Sequence, residues 1–237
     1  MRTLISETEI RRHRALYFAV LGGVTILFTL AFVFPIYWMV TGALKSPVEL
    51  AQPIPTFIPE SFHPSAYADA WNRMEIARYF GNTVFYAFGG WLFVLVLDVA
   101  VAYALSKLRP VLGNVILGGM LASLMLPASA LLIPAYLTVT DVPLLGVNLL
   151  NTPWALWLPA VANAFNIYVL KRFFDQIPND LLDAAAIDGA GRLRVLWSVV
   201  LPLSRPVLGV VSIFAIIGIW KDFLWPLLVL PARPRRR

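Results

Sequence analysis

The chain has 237 residues, of which 59% are hydrophobic and 14% charged, and its mean hydropathy of +0.76 excludes an ordinary soluble domain in favour of a polytopic membrane protein. With no cysteine it has no disulfide framework, thiol nucleophile or cysteine metal site, and His13 and His63 lie in separate polar segments that form no metal pair. The net charge of +6 is spread between apolar runs, so the basic residues read as topology determinants and not as a nucleic-acid surface.

Arg11, Arg12 and Arg14 precede a run from Ala15 to Leu44 that no charge interrupts. That run exceeds the roughly 20 residues a helix needs to cross a bilayer. A cleaved signal peptide has a shorter apolar core and a small-residue cleavage site. The run therefore predicts a retained first membrane helix with a cytoplasmic N-terminus, and Phe34, Tyr37 and Trp38 anchor it toward the outer interface. Residues 45–78 are polar and contain Pro47, Pro53, Pro55, Pro59 and Pro64, which predicts an ordered but irregular external loop. A second helix is expected from about Tyr79 to Leu105, with Asn82 near its start and Lys107 and Arg109 in a short cytoplasmic turn. Asp98 is the acidic side chain inside it. An ionisable group at membrane depth is a functional candidate by default. The plainer alternative, which its position favours, is that Asp98 lies near enough to the cytoplasmic surface to reach water.

A third helix is expected from about Leu112 to Val139, kinked at Pro127 and Pro134. The following connection, Asp141 to Asn151, carries no lysine or arginine, as suits an external loop. The fourth helix, about Thr152 to Phe174, ends in Lys171-Arg172 on the cytoplasmic side. Its Asn163 and Asn166 are three apart and are expected on one face, for interhelical hydrogen bonding or substrate contact. The fifth run, Pro206 to Leu230, carries Trp220, Lys221, Asp222 and Trp225; the tryptophans suit interfacial anchoring or stacking on a sugar ring. By this count Pro231–Arg237 emerges outside with four arginines, against the positive-inside tendency.

Between the fourth and fifth runs, residues 178–202 carry charges of both signs at helical spacing. Leu181, Leu182, Ala185 and Ala186 are expected on one face of a short helix, with Asn179 as its N-cap and Asp180 and Asp183 near its positive end. Gly189 frees the backbone to turn, and a second amphipathic segment runs from Arg192 toward Pro202. Such a pair of helices presents a surface that a partner can grip.

These residues resemble the "EAA loop" of ABC importer permeases: Glu-Ala-Ala, three residues, Gly, nine residues, then Ile-x-Leu-Pro. Here Asp183-Ala184-Ala185, Gly189 and Val199-Val200-Leu201-Pro202 keep that spacing, with Asp183 for Glu and Val199 for Ile. Phe34-Pro35-Ile36-Tyr37-Trp38-Met39, Leu44-Lys45-Ser46, Pro53-x-Pro55 with Ile58-Pro59, Met125-Leu126-Pro127 and Leu132-Ile133-Pro134-x-Tyr136 resemble the carbohydrate-uptake branch of the same family. So does Trp220-Lys221-Asp222-Phe223-Leu224-Trp225-Pro226, where Lys221 replaces a polar neutral residue.

The resemblance implies an all-α polytopic membrane protein, a single permease domain over 1–237 with about five transmembrane helices and a cytoplasmic coupling helix between the fourth and fifth. The family has a sixth helix and a basic tail after the point corresponding to about Leu230, so a truncated or frame-shifted end is expected here. The implied setting is a prokaryotic inner (cytoplasmic) membrane. The implied partners are ABC ATPase subunits, a second permease subunit, an extracytoplasmic solute-binding protein and the lipid bilayer, with no nucleic acid. Asp183, Ala184, Ala185, Asp188, Gly189, Leu201 and Pro202 are the implied ATPase-coupling residues. Asn82, Asp98, Asn163, Asn166, Trp220 and Asp222 are candidates for the translocation pathway.

No Gly-x-x-x-x-Gly-Lys-Ser/Thr phosphate loop is present, so ATP and magnesium are expected on the partner ATPase, with no cofactor bound by this chain. An intramembrane enzyme requires a convergent acid/base, nucleophile or metal set, which Asp98, Lys221 and Asp222 do not supply. No catalytic or metal-ligating residue is therefore assigned. A channel or secondary transporter has no use for the coupling loop, and the latter is expected to carry internal repeats. The permease reading is the one adopted, with sugar as the expected cargo and another small solute as the alternative.

Overall fold

The computed structural model describes residues 14–230, which are helical apart from loops and one antiparallel bridge between Val142 and Val147. Residues up to Arg78 form one compact unit and those from Tyr79 onward another. The expectations for Arg11, Arg12 and Pro231–Arg237 fall outside the described residues.

In the first unit, α1 (Arg14–Ala43) is apolar on all sides and buries none of its residues, and it is long enough to cross a membrane. The segment after it folds back onto its end. Tyr37 donates its hydroxyl to the Phe57 carbonyl at 2.7 Å, and the Phe57 ring packs against Phe34 and Trp38. Lys45, buried, lies 4.8 Å from the Trp38 ring centroid and donates to the Thr56 carbonyl. Ser46 caps α2 (Pro47–Leu50), whose buried Glu49 accepts hydrogen bonds from the Thr56 hydroxyl and the Glu60 N–H. A further helix, α3 (Ser65–Arg73), is tied back by Tyr67, which donates to the Val40 carbonyl at 3.2 Å. The loop is ordered as expected, but more regular, because one short helix begins at Pro47 and another follows Pro64.

The second long helix, α4 (Ile76–Tyr103), starts a turn earlier than expected and runs on as a π-helical turn, Ala104–Leu108, so that Ile76–Leu108 is also long and apolar enough to cross a membrane. Arg109, in the left-handed region at φ 47°, ends it. Ala87, Gly90, Val94, Asp98 and Ala102 recur at helical spacing and form its buried stripe.

Each of the three runs expected as a single helix is two. Residues 113–140 form α5 (Gly113–Ser123) and α6 (Ala128–Thr140), bent by 112° at a break where Pro127 is extended and has no N–H to continue the helix. The fourth run is α7 (Trp154–Ala160) and α8 (Ala164–Asp175), parted where Val161 is extended and Ala162 is left-handed at φ 61°. After the loop helices α9 (Asn179–Ile187) and α10 (Arg192–Leu203), the chain bends by 85° into α11 (Arg205–Trp220). A break at Lys221–Phe223 then precedes α12 (Leu224–Val229). Among the described residues, two helices are long and apolar enough to span by themselves, and up to four spans result if each bent pair is counted as one.

Two cores hold the second unit. Toward the 103–108 end of α4, Ala102 and Tyr103 pack with Ile167, Leu170 and Phe174 of α8, Val195 and Val200 of α10, and Val211 of α11. At the other end, Val139, Ala155, Leu156, Trp157 and Val229 pack together. Helices in lipid gain little from hydrophobic transfer and depend on close fit. That fit is visible at Gly89 and Gly90, where an added Cβ would lie 2.3 Å from Trp157 Cζ2 and 2.6 Å from Ile219 Cδ1. The Trp157 indole fills the space and donates to the Tyr86 carbonyl at 3.0 Å.

Candidate functional sites: a cavity at the helix breaks and a clasped loop

The break before α8 and the break after α11 open onto the same space, a cavity of about 580 Å³. Its walls include Thr83 and Tyr86 of α4, Asn163 and Asn166, and Trp220, Asp222 and Trp225. Four of the six pathway candidates (Asn163, Asn166, Trp220 and Asp222) therefore meet at one cavity, and Asn82 and Asp98 do not line it. Asn82 is exposed elsewhere on α4, one position from Thr83, which takes the place in the wall.

Asn163 and Asn166 do not share a helix face. Asn163 is the N-cap of α8, and its Oδ1 accepts the Asn166 N–H at 3.1 Å. Expecting them side by side assumed an unbroken helix. Asp222 has a parallel role, its Oδ1 accepting the Trp225 N–H at 3.3 Å after the chain has left α11. Trp220 sits edge-on to Phe80 with ring centroids 5.6 Å apart, and the Trp225 indole donates to the Ala155 carbonyl at 3.0 Å. Lys221 is exposed and forms no ion pair with Asp222 among the described residues.

Asp98 departs from the plainer expectation of water contact. It is 0% exposed, and its Oδ1 accepts the backbone N–H of Asn163 at 2.9 Å. The helical stripe of α4 turns it inward against the break that precedes α8, so nearness to the helix end does not bring it to solvent.

The 178–202 loop is two helices jointed at Gly189, whose φ of 79° is left-handed, and Asp188 caps the end of α9. Asn179 is not the cap: Pro178 occupies that place, and Asn179 Oδ1 accepts from Lys107 Nζ at 3.4 Å. The expected single face of α9 also divides. Leu182 and Ala185 pack onto the core, and Leu181, Asp183, Ala184 and Ala186 are exposed. Ile187 and Leu193 are 87% and 72% exposed, so the outer surface of the joint presents apolar side chains among the exposed charges of Asp188, Arg192 and Arg194. Leu201 packs against the core, Pro202 is exposed, and both lie in the last turn of α10.

The end of α4 clasps this loop at both sides. Lys107 Nζ donates to the Ile177 carbonyl at 2.8 Å at the start of the loop, and the Tyr103 hydroxyl donates to the Arg192 carbonyl at 3.0 Å beyond the joint. Ser106 donates to Asp175 Oδ1 at 2.7 Å, and Lys171 pairs with Asp175 Oδ2 at 2.8 Å. Burial pushes the Asp175 carboxyl up, but the bonds from Lys171 and Ser106 and the charges of Lys171 and Lys107 together hold it below its ordinary value. A cleft of about 410 Å³ remains between clasp and loop, with Asp183, Ala186 and Arg192 in its wall. Sequence reasoning took Lys107 only as a topology marker and gave no weight to Tyr103 or Ser106. The polar pair Ser106-Lys107 closing an apolar helix was the available signal.

Comparison with known proteins places this architecture. Residues 97–233 match the family described as binding-protein-dependent transport system inner membrane component. The chain is 34% identical over 214 residues to protein LplC of Bacillus subtilis (strain 168), covering 90% of this chain and 68% of the relative. It is 33% identical over 210 residues to the diacetylchitobiose uptake system permease protein NgcG of Streptomyces coelicolor, covering 88% and 68%. A chain in the crystal structure of a bacterial ABC transporter involved in the import of the acidic polysaccharide alginate superposes with a TM-score of 0.81 at 27% identity, covering 97% of this chain and 78% of that one. The chain belongs to the binding-protein-dependent transport system inner membrane components, the permease subunits of ABC importers.

Proposed function

We propose that this permease carries carbohydrate, that residues 178–202 are its cytoplasmic ATPase-coupling loop, and that the cavity at the helix breaks is its share of the translocation pathway. The observation that carries the reading is the loop itself. Its joint at Gly189 is left-handed, its outer surface exposes Ile187 and Leu193, and both of its sides are bonded to α4. The cargo follows from the relatives, whose descriptions name diacetylchitobiose uptake and alginate import.

In this reading ATP and magnesium act on partner ATPase subunits, which grip α9 through Asp183, Ala184, Asp188 and the exposed Ile187. Movement of α9 pulls on Lys107 and Tyr103, and α4 carries it toward the cavity as a rigid-body rotation between inward-facing and outward-facing states. A second permease subunit completes the pathway, and a solute-binding protein delivers cargo from outside. The chain acts as one transmembrane domain over 1–237 in a prokaryotic cytoplasmic membrane, with its N-terminus inside and about five spans.

Its test is reconstitution in proteoliposomes with the partner permease, ATPase subunits and binding protein. Neutral, amino and acidic oligosaccharides are offered beside non-sugar solutes such as sn-glycerol 3-phosphate, and ATP hydrolysis and uptake are read together. Stimulation of both by an oligosaccharide is expected. Stimulation by non-sugar solutes alone would overturn the cargo and leave the permease role in place.

A further inference from the structure

The break between α7 and α8 stands in need of a physical cause. Residues 154–175 are apolar enough to continue as one helix, and a continuous helix would satisfy the Asn163 N–H with the carbonyl of Pro159, four residues back. Instead Ala162 holds φ 61°, a left-handed conformation that costs a residue with a Cβ. Pro159 lies inside α7 and does not itself occupy the break. The Asn163 cap favours the break from within the segment, and the group that meets the break from another element is the carboxylate of Asp98, fully buried on α4.

The geometry is specific. Asp98 Oδ1 accepts the Asn163 N–H at 2.9 Å, supplying the partner that the break takes away. An N–H left unmet at a helix start in an apolar setting is costly, and a carboxylate there also meets the positive end of the twelve-residue α8. With its N–H held from outside, Asn163 can turn its own side chain to the Asn166 N–H at 3.1 Å and begin α8. Both asparagines then stand in the cavity wall, and Asp98 stays behind it.

We propose that Asp98 is a positioning residue for this cavity: by holding the Asn163 backbone it maintains the left-handed break at Ala162 and so sets where Asn163 and Asn166 stand in the cavity wall. The inference rests on the reading of the cavity as part of the pathway, and concerns a residue outside the coupling loop. Its acceptor oxygen matters more than its charge, since the partner is a backbone N–H.

The native chain has no cysteine, so single cysteines can report on the wall. In the assembled importer in native membrane vesicles, Asn166→Cys reports the wall beside the break, and Thr83→Cys reports the α4 wall away from it. The probe is a small charged methanethiosulfonate. Both sites line the cavity and are expected to react in the parent, Asn166→Cys slowly because Asn166 is only 3% exposed. Asp98→Ala is expected to raise the reaction rate at the Asn166→Cys site by about tenfold, as loss of a buried hydrogen-bond acceptor implies, with the Thr83→Cys rate held within about twofold. Asp98→Asn retains an acceptor oxygen of the same shape and is expected to keep both rates near the parent's. Adding Ala162→Gly to Asp98→Ala, which relieves the left-handed strain, is expected to return the Asn166→Cys rate toward the parent's.

An unchanged Asn166→Cys rate in Asp98→Ala would overturn the proposal and leave the cavity reading standing. Equal rises at both sites would overturn it too, because they report general loosening. If neither site reacts in the parent, the cavity reading fails and the proposal fails with it. Should Asp98→Ala not assemble, Asp98→Asn decides: a raised rate at Asn166→Cys alone shows that charge and not the acceptor is required, and overturns the proposal as stated.

Discussion

The hydroxyl of Tyr103 donates to the backbone carbonyl of Arg192 across 3.0 Å, joining the last turn of α4 to the far side of a loop 89 residues later in the chain. With Lys107 on the near side, it bonds the end of α4 to both sides of the loop. Tyr103→Phe keeps the ring in its core and removes only the donor. A stability loss of about 0.5–1.5 kcal/mol is expected. Transport per ATP hydrolysed should fall, because the loop can move without α4 following. Measuring uptake and hydrolysis on the same proteoliposomes checks this; an unchanged ratio would show that the bond takes no part in coupling.

Gly189 supplies the joint. At φ 79° any side chain is strained, and Gly189→Ala is expected to cost roughly 1–2 kcal/mol at that residue. Nothing crowds the position, so the effect is conformational and not a clash. Gly189→Asp adds a strained side chain and a second carboxylate beside Asp188, and stimulation of ATP hydrolysis by the loaded binding protein should be lost. Wild-type stimulation in Gly189→Asp would remove the joint from the mechanism.

Ala184 and Ala185 are neighbours in the motif with different surroundings. Ala184 is exposed and Ala185 packs on the core beneath α9. Ala184→Arg is expected to weaken capture of the ATPase and leave the permease thermally stable, whereas Ala185→Arg should lower the permease's own stability by about 1–3 kcal/mol through overpacking. Pull-down of the ATPase beside a thermal melt of the purified permease separates the two. Equal melting temperatures for both variants would contradict the assigned faces.

Gly89 seats the Trp157 indole. A Cβ there would stand 2.3 Å from Cζ2 and 2.8 Å from Cε2, both atoms of a rigid ring. Gly89→Ala should therefore cost about 1–3 kcal/mol, read as a lower melting temperature in detergent. Gly118→Ala meets nothing within 4 Å and is the matched control.

In the first unit Glu49 is held below its ordinary pKa of 4.5, chiefly by the Thr56 hydroxyl, against an opposing push from burial, with help from the Glu60 N–H and the Lys45 charge. A folded-state pKa below the unfolded one means that the contribution to loop stability is full above pH 4.5 and is lost as pH falls through the lowered value. Protection of residues 45–62 against hydrogen exchange, taken relative to the intrinsic amide rate at each pH, should fall as the medium is acidified below pH 4.5. Glu49→Gln should exchange fast at neutral pH and lose that dependence. A loop equally protected at both pH values would count against the role of Glu49.

Much of this protein is written in its sequence. Composition alone determined a helical membrane protein, because apolar runs of this length have no other way to satisfy their backbone. The spacing from Asp183 to Pro202 located a loop of two helices with a joint at Gly189, since a helix surface repeats at fixed intervals and glycine takes a left-handed φ without strain. Tertiary structure decided the rest. At the break within 154–175 the Asn163 N–H is met by a carboxylate 65 positions earlier, and hydrophobic periodicity within the segment carries no trace of that contact. Asn163 and Asn166 meet Trp220 and Asp222 at one cavity because two such breaks open onto the same space. The inward turn of Asp98 and the clasp of Tyr103 likewise follow from which face of α4 packs, a choice made by the helices around it and not by α4 itself.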